Sequence, residues 1–173
     1  MSESVFAYRY GFIGAGAMAE AIVSGMIQSG LCSASDIVMS NRSTEKLEHM
    51  KTMYGVATVL NNSLVMQQAE YIILAVKPQQ FSAVCESLQS MPGSKQVIVS
   101  IMAGLSIATI KEKLGDCIVF RAMPNTPAKI GWGMTGLFCD AEANEAHRQI
   151  VQGMFDCVGK TVLVDESYMD ALG

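Results

Sequence analysis

The sequence predicts an α/β fold: a doubly wound, mostly parallel sheet with helices on both faces. Two observations predict it. Short apolar runs alternate with helical patterns along the whole chain, and such alternation gives parallel strands joined by right-handed crossovers. The first strand-to-helix turn also carries Gly14-Ala15-Gly16-Ala17-Met18-Ala19. This is a G-x-G-x-x-A pattern, placed where a Rossmann-like fold binds a dinucleotide.

Taken in order, Arg9–Gly14 reads as the first strand and Gly16–Ser29 as the first helix, ended by Gly30. Gly14 permits the tight turn, Gly16 lets a pyrophosphate approach the backbone, and Ala19 lets the helix pack close to the sheet. The free N–H groups at the helix start suit phosphates. Asp36–Ser40, apolar on both faces, is the second strand. Ser43 caps a helix running to about Tyr54, with Glu45 and Lys46 in its first turn. Gly55 breaks that helix, and Val56–Leu60 is a short third strand. Asn61-Asn62-Ser63 opens a helix ending near Ala69.

Tyr71–Val76 is the clearest buried strand. Lys77 and Pro78 follow it, and Pro78 starts a helix to about Gln89. The next strand is Gln96–Ser100, then Ile101-Met102-Ala103-Gly104. Ser106 opens a helix ending near Gly115. Cys117–Ala122 is a strand running into Met123-Pro124-Asn125-Thr126-Pro127, which no regular element is expected to hold. Gly131–Cys139 reads as a strand, Ala141–Cys157 as a helix, and Thr161–Val164 as the last strand.

Composition bounds the function. The chain has 173 residues, 50% hydrophobic and 16% charged, so it supports one good core and is not disordered. The net charge is −4 with scattered cations, so no nucleic-acid surface is expected. No apolar run is long enough for a membrane span. The Met1–Ser4 start lacks a basic-then-apolar leader. The five cysteines form no C-x-x-C pair and read as reduced packing thiols of a cytoplasmic protein. His49 and His147 read as surface residues, and no metal spacing exists. The thirteen methionines read as core filler.

In such a sheet a ligand lies beyond the carboxyl ends of the strands. Those ends supply Gly14 to Met18, then Asn41 and Arg42, then Lys77 and Pro78, then Met102, Ala103 and Gly104, and finally Pro124 to Pro127. An NAD-selective site places an acid after the second strand. Asn41-Arg42 stands there instead, and Arg42 suits a 2′-phosphate, so NADP(H) is expected in preference to NAD(H). Lys77 reads as a lining residue of the cleft rather than a catalytic lysine. Asn125 and Thr126 present polar groups toward the rim, between prolines that limit their conformations.

Four motifs in order carry a family resemblance: Phe12–Ala19, Ala75-Val76-Lys77-Pro78-Gln79, Ala103-Gly104-Leu105-Ser106 and Arg121-Ala122-Met123-Pro124-Asn125-Thr126-Pro127. Together they resemble the N-terminal dinucleotide-binding domain of pyrroline-5-carboxylate reductase. The likeness covers nearly the whole chain and implies NAD(P)H-dependent reduction of 1-pyrroline-5-carboxylate to proline. It implies cofactor contacts at Ile13, Gly14, Ala15, Gly16, Ala17 and Met18, at Asn41, Arg42 and Asn62, at Ala75, Val76, Lys77 and Pro78, and at Ala103 and Gly104. Ala17 stands where many members carry a polar residue, so one side-chain contact to the phosphates is missing.

By the same resemblance, residues 1–164 form the NADP-binding domain, and 165–173 enter an absent all-helical domain that forms the dimer or higher oligomer and holds the substrate. The chain is therefore expected to be a fragment, inactive alone, with an exposed apolar patch near Met169–Leu172. No catalytic residue is assigned. Two rival readings are another NADP-dependent reductase, of the β-hydroxyacid dehydrogenase or F420-linked type, and a non-catalytic NADPH-sensing module.

Overall fold

The computed structural model describes residues 4–172; Met1–Glu3, part of the stretch read for a leader, and Gly173 lie outside the described residues. Within the described residues eight strands form one sheet: β1 (Tyr8–Ile13), β2 (Ile37–Ser40), β3 (Ala57–Val59), β4 (Ala69–Leu74), β5 (Val97–Ser100), β6 (Ile118–Met123), β7 (Gly133–Cys139) and β8 (Gly159–Leu163). Their order is β3-β2-β1-β4-β5-β6-β7-β8. All pairs are parallel except β6–β7. The chain winds outward from β1 to β3, then crosses back to β4 and winds the other way. The reversal lies between β1 and β4, which is where a doubly wound sheet opens a crevice.

Among the described residues six α-helices cover the two faces: α1 (Ala17–Gln28), α2 (Thr44–Tyr54), α3 (Asn62–Gln68), α4 (Phe81–Ser87), α5 (Ile107–Leu114) and α6 (Glu145–Asp156). Strand alternation divides the core between the faces. Tyr10, Phe12, Tyr71 and Ile73 join Ile22 and Met26 of α1, Met50 of α2 and Phe155 of α6. Ile13, Ile72 and Leu74 join Val65 of α3, Phe81 of α4 and Ile110 of α5. Met26, Met39, Met50, Met66, Met102, Met123, Met154 and Met169 are buried as core filler, but Met53, Met91 and Met134 are exposed, so the methionines do not all fill the core. Burial pushes the Cys85 and Cys117 thiols up to about 11, so they stay protonated at neutral pH.

The helix starts follow the sequence. Ser43 accepts from the Lys46 N–H, Asn61 from Ser63, Ser106 from Thr109 and Asn144 from His147, satisfying N–H groups that a helix leaves unpaired. Several boundaries differ. β4 spans Ala69–Leu74 rather than Tyr71–Val76, because its register with β1 begins at Tyr8↔Ala69 and ends at Ile13↔Leu74. Ala75 and Val76 are thereby released to the rim. The last long helix starts at Glu145, after its Asn144 cap, not at Ala141. The stretch expected to hold no regular element forms a 3-10 helix over Thr126–Ile130; Pro127 fits its first turn, where a missing N–H costs nothing.

At the chain end the expected exposed apolar patch fails at Met169 alone. Glu166–Ala171 is a 3-10 helix lying against the sheet, and Met169 is fully buried rather than part of an exposed patch. Tyr168 and Leu172 are exposed there, beside exposed Val162 and Leu163 of the β8 edge strand. Among the described residues no helix is long and apolar enough to cross a membrane.

Candidate functional site

At the strand reversal, β1 and β4 end side by side. The Gly14 N–H donates to Ser40 O at 2.8 Å, and the Ala75 N–H donates to Ile13 O at 2.9 Å. Gly14 has φ +110, and a Cβ there would lie 2.4 Å from the Ala75 carbonyl oxygen. Only glycine fits both the angle and the approach. Gly16 is different: a Cβ there would meet nothing within 4 Å. Its bareness serves no packing and leaves the space before α1 open. Gly16 caps α1 without any side-chain hydrogen bond, as Gln80 does the short α4, whereas α2, α3, α5 and α6 each have a side-chain cap. The open, uncapped start of an aligned helix is where a phosphate fits.

A cavity of about 600 Å³ opens at this point. Its floor is Gly14, Ala15 and Gly16 with Ala75, Val76 and Lys77. Asn41, Arg42, Ser43 and Lys46 form one wall, Leu60, Asn61 and Asn62 a second, and Gln80, Ala83, Val84 and Ser87 a third. Arg42, Lys46 and Lys77 are three cations, and among the described residues no Asp, Glu or His lines the cavity. In a chain of net charge −4, that local excess selects an anionic ligand.

Hydrogen bonds brace the walls. The buried Ser40 hydroxyl donates to Asn62 Oδ1 at 2.7 Å, and Asn62 Nδ2 reaches Ser87 Oγ at 3.4 Å. Asn62 thus ties β2, α3 and α4 together while facing the cavity. Between α1 and α2, Glu20 Oε1 accepts from the Tyr54 hydroxyl at 2.8 Å and lies 2.8 Å from His49 Nε2. The His49 bond is the largest cause holding the Glu20 carboxyl below its ordinary range.

The structure brings together Gly14, Ala15, Gly16, Asn41, Arg42, Asn62, Ala75, Val76 and Lys77 from the expected set. The others lie elsewhere. Ile13 is a buried strand end. Ala17 and Met18 begin α1, and Pro78 begins a 3-10 turn. Ala103 and Gly104 lie exposed in the loop after β5, and Asn125 and Thr126 lie exposed after β6; none of these lines the cavity. Asn125 Oδ1 accepts from the Met134 N–H at 2.9 Å, so this side chain holds the start of β7.

Sequence reasoning missed Lys46 as a lining residue, although it stands four residues after Arg42 in the first turn of α2. It also missed Gln80, Ala83, Val84 and Ser87. Their i, i+3, i+4, i+7 spacing marks one helix face, but none of these side chains is charged.

The chain matches the family model described as "NADP oxidoreductase coenzyme F420-dependent" over residues 9–104. It is 37% identical to pyrroline-5-carboxylate reductase of Haemophilus influenzae over 163 residues, covering 93% of this chain and 59% of that protein. It is 35% identical to pyrroline-5-carboxylate reductase 2 of Bacillus subtilis, covering 95% and 59%. The structure of a pyrroline-5-carboxylate reductase from Coxiella burnetii superposes with a TM-score of 0.89 at 33% identity, over 94% of this chain and 61% of that one. Plasmodium falciparum pyrroline carboxylate reductase with NADP bound shares the fold, with a TM-score of 0.81 at 20% identity, over 96% and 61%. The chain therefore spans about 60% of the length of the relatives it matches.

Proposed function

The chain belongs to the NADP oxidoreductase, coenzyme F420-dependent family and corresponds to the N-terminal NADP-binding domain of pyrroline-5-carboxylate reductases, and on that premise we propose that it holds NADP(H), in preference to NAD(H), for reduction of 1-pyrroline-5-carboxylate to proline. The observation that carries this reading is the cavity wall of Arg42, Ser43 and Lys46 at the end of β2, with no carboxylate in the lining. A 2′-phosphate gains charge-assisted bonds there, and the acid that would hold a free ribose 2′-hydroxyl is missing.

The residues divide the work along the crevice. Gly14 to Gly16 and the start of α1 receive the pyrophosphate. Arg42, Ser43 and Lys46 hold the 2′-phosphate, and the α4 face of Ala83 and Val84 walls the adenine. The dinucleotide then crosses β1 toward β4 and β5, where Ala103 and Gly104 meet the nicotinamide half. The bound cofactor supplies the hydride that reduces the imine carbon; this chain positions it. The substrate-holding residues and the oligomer contacts belong to the part of the relatives that this chain does not span.

A fluorescence titration with NADPH and NADH tests the reading. NADPH is expected to bind at least about ten times more tightly than NADH, the scale of one charge-assisted bond. Arg42→Ala and Lys46→Ala should each erode that preference without changing NADH affinity. Equal affinities for the two cofactors in the unaltered chain would remove the 2′-phosphate assignment. Binding of neither would remove the cofactor site.

A further inference from the structure

Arg121 is the largest fully buried side chain of the molecule, 2% exposed, and it lies outside the cavity. It sits on β6 in register with Ser100 of β5 and Phe138 of β7. Its Nη2 donates to Asp170 Oδ1 at 2.9 Å and its Nη1 to Glu166 Oε1 at 3.4 Å, while its Nε has no partner among the described residues. Both carboxylates come from the 3-10 helix Glu166–Ala171. The same Glu166 oxygen accepts the Ile107 N–H, the first of α5, at 2.7 Å. One carboxylate thus joins three pieces of chain: the start of α5, the middle of β6 and the segment after β8.

Burying a guanidinium is costly, and packed apolar side chains of similar volume often serve stability as well or better. What such a cluster supplies is a fixed arrangement of the parts it joins. The part most exposed to its influence is the loop between β5 and α5, which carries Ala103 and Gly104. At its near end, Ile101 N–H donates to Leu74 O and Met102 N–H to Ser100 Oγ. At its far end, Ser106 caps α5 itself, and Glu166 is the bond from outside that reaches Ile107. None of the residues lining the cavity belongs to this cluster.

We infer that Glu166 and Arg121 are positioning residues: through Ile107 they set the β5–α5 loop, and with it the nicotinamide half of the cofactor, against the segment 166–171. The inference rests on the cofactor assignment above. It separates the two halves of one ligand, because the adenosine half meets the cavity lining, which includes no residue of this cluster.

The chain itself is titrated with NADPH and with adenosine 2′,5′-bisphosphate, which carries the adenosine half alone. Glu166→Ala is expected to weaken NADPH about tenfold, the scale of one lost positioned bond. The bisphosphate should stay within about twofold of the unaltered chain. Glu166→Gln, which keeps an oxygen for the Ile107 N–H, should restore most of the NADPH affinity. A stability role alone would lower both affinities together or neither, and either result overturns the inference. So does an unaltered chain that binds NADPH no more tightly than the bisphosphate, since the loop then engages nothing. An unaltered chain that binds neither ligand fails the cofactor assignment first. If Glu166→Ala does not fold, Glu166→Asp, one methylene too short to span Arg121 and Ile107, gives the same comparison.

Discussion

On the β2 side of Gly14 the rim is a walled cavity, closed by α2, α3 and α4 and lined with three cations. On the β5–β6 side it is an open shelf, where Ala103, Gly104, Asn125 and Thr126 all lie exposed and none faces the cavity. One sheet and one crossover rule made both. The walled side has what affinity needs: phosphate donors, positive charge and an apolar flank. On the shelf, none of Ala103, Gly104, Asn125 and Thr126 carries an acidic or basic side chain.

The two glycines at the ends of these regions give the largest expected contrast. Gly14→Ala puts a Cβ 2.4 Å from the Ala75 carbonyl at φ +110. Backbone strain and overpacking each cost about 1–3 kcal/mol, so the urea midpoint should drop sharply and NADPH binding should go with it. Gly104→Ala, at φ +74 with nothing within 4 Å, should lose only the left-handed penalty of about 1–2 kcal/mol. Equal losses would mean that the wall is no more rigid than the shelf.

A smaller effect sharpens the same contrast at Asn125. Its side chain holds the Met134 N–H, so Asn125→Ala should cost about 0.5–1.5 kcal/mol of stability. NADPH affinity should change less than about threefold, since one weak contact sets that scale. A tenfold loss of affinity at unchanged stability would make Asn125 a ligand contact and give the shelf a wall of its own.

What the sequence disclosed follows where the causes lie. Gly14 was legible because the backbone demands glycine there, and Gly16 and Ala19 because they complete a spaced pattern with it at a strand-to-helix turn. Arg42 was legible because its place after a strand end fixes where it stands. Lys46 and the Gln80–Ser87 face went unread as site residues, because their inward direction depends on how α2 and α4 dock on the sheet. The end of β4 was misplaced because Ala75 and Val76 are as apolar as the strand, and only pairing with β1 shows where the ladder stops. Arg121 carried a local motif and no sign of its partners, which lie 45 and 49 residues away. The 3-10 turn at Thr126–Ile130 was hidden by prolines that break a helix interior but suit a first turn.

The smallest expected effect is a pH dependence of the walled side. Glu20 joins α1, whose start is the proposed pyrophosphate site, to α2, whose first turn carries Lys46. Its carboxyl is held low mainly by the bond to His49, with the Tyr54 hydroxyl adding to it. A carboxyl depressed in the folded state adds stability above the ordinary carboxylate range and loses it as pH falls through the depressed value. Glu20 and His49 are one-third and one-half exposed, so solvent screening keeps the contribution below about 1 kcal/mol. Glu20→Gln should therefore melt slightly lower than the unaltered chain at neutral pH, and the gap should close on acidification below the carboxylate range. A gap that persists in acid would make the tie a matter of packing between Tyr54, His49 and the helices rather than of charge, and the wall would then owe its shape to contacts that pH does not reach.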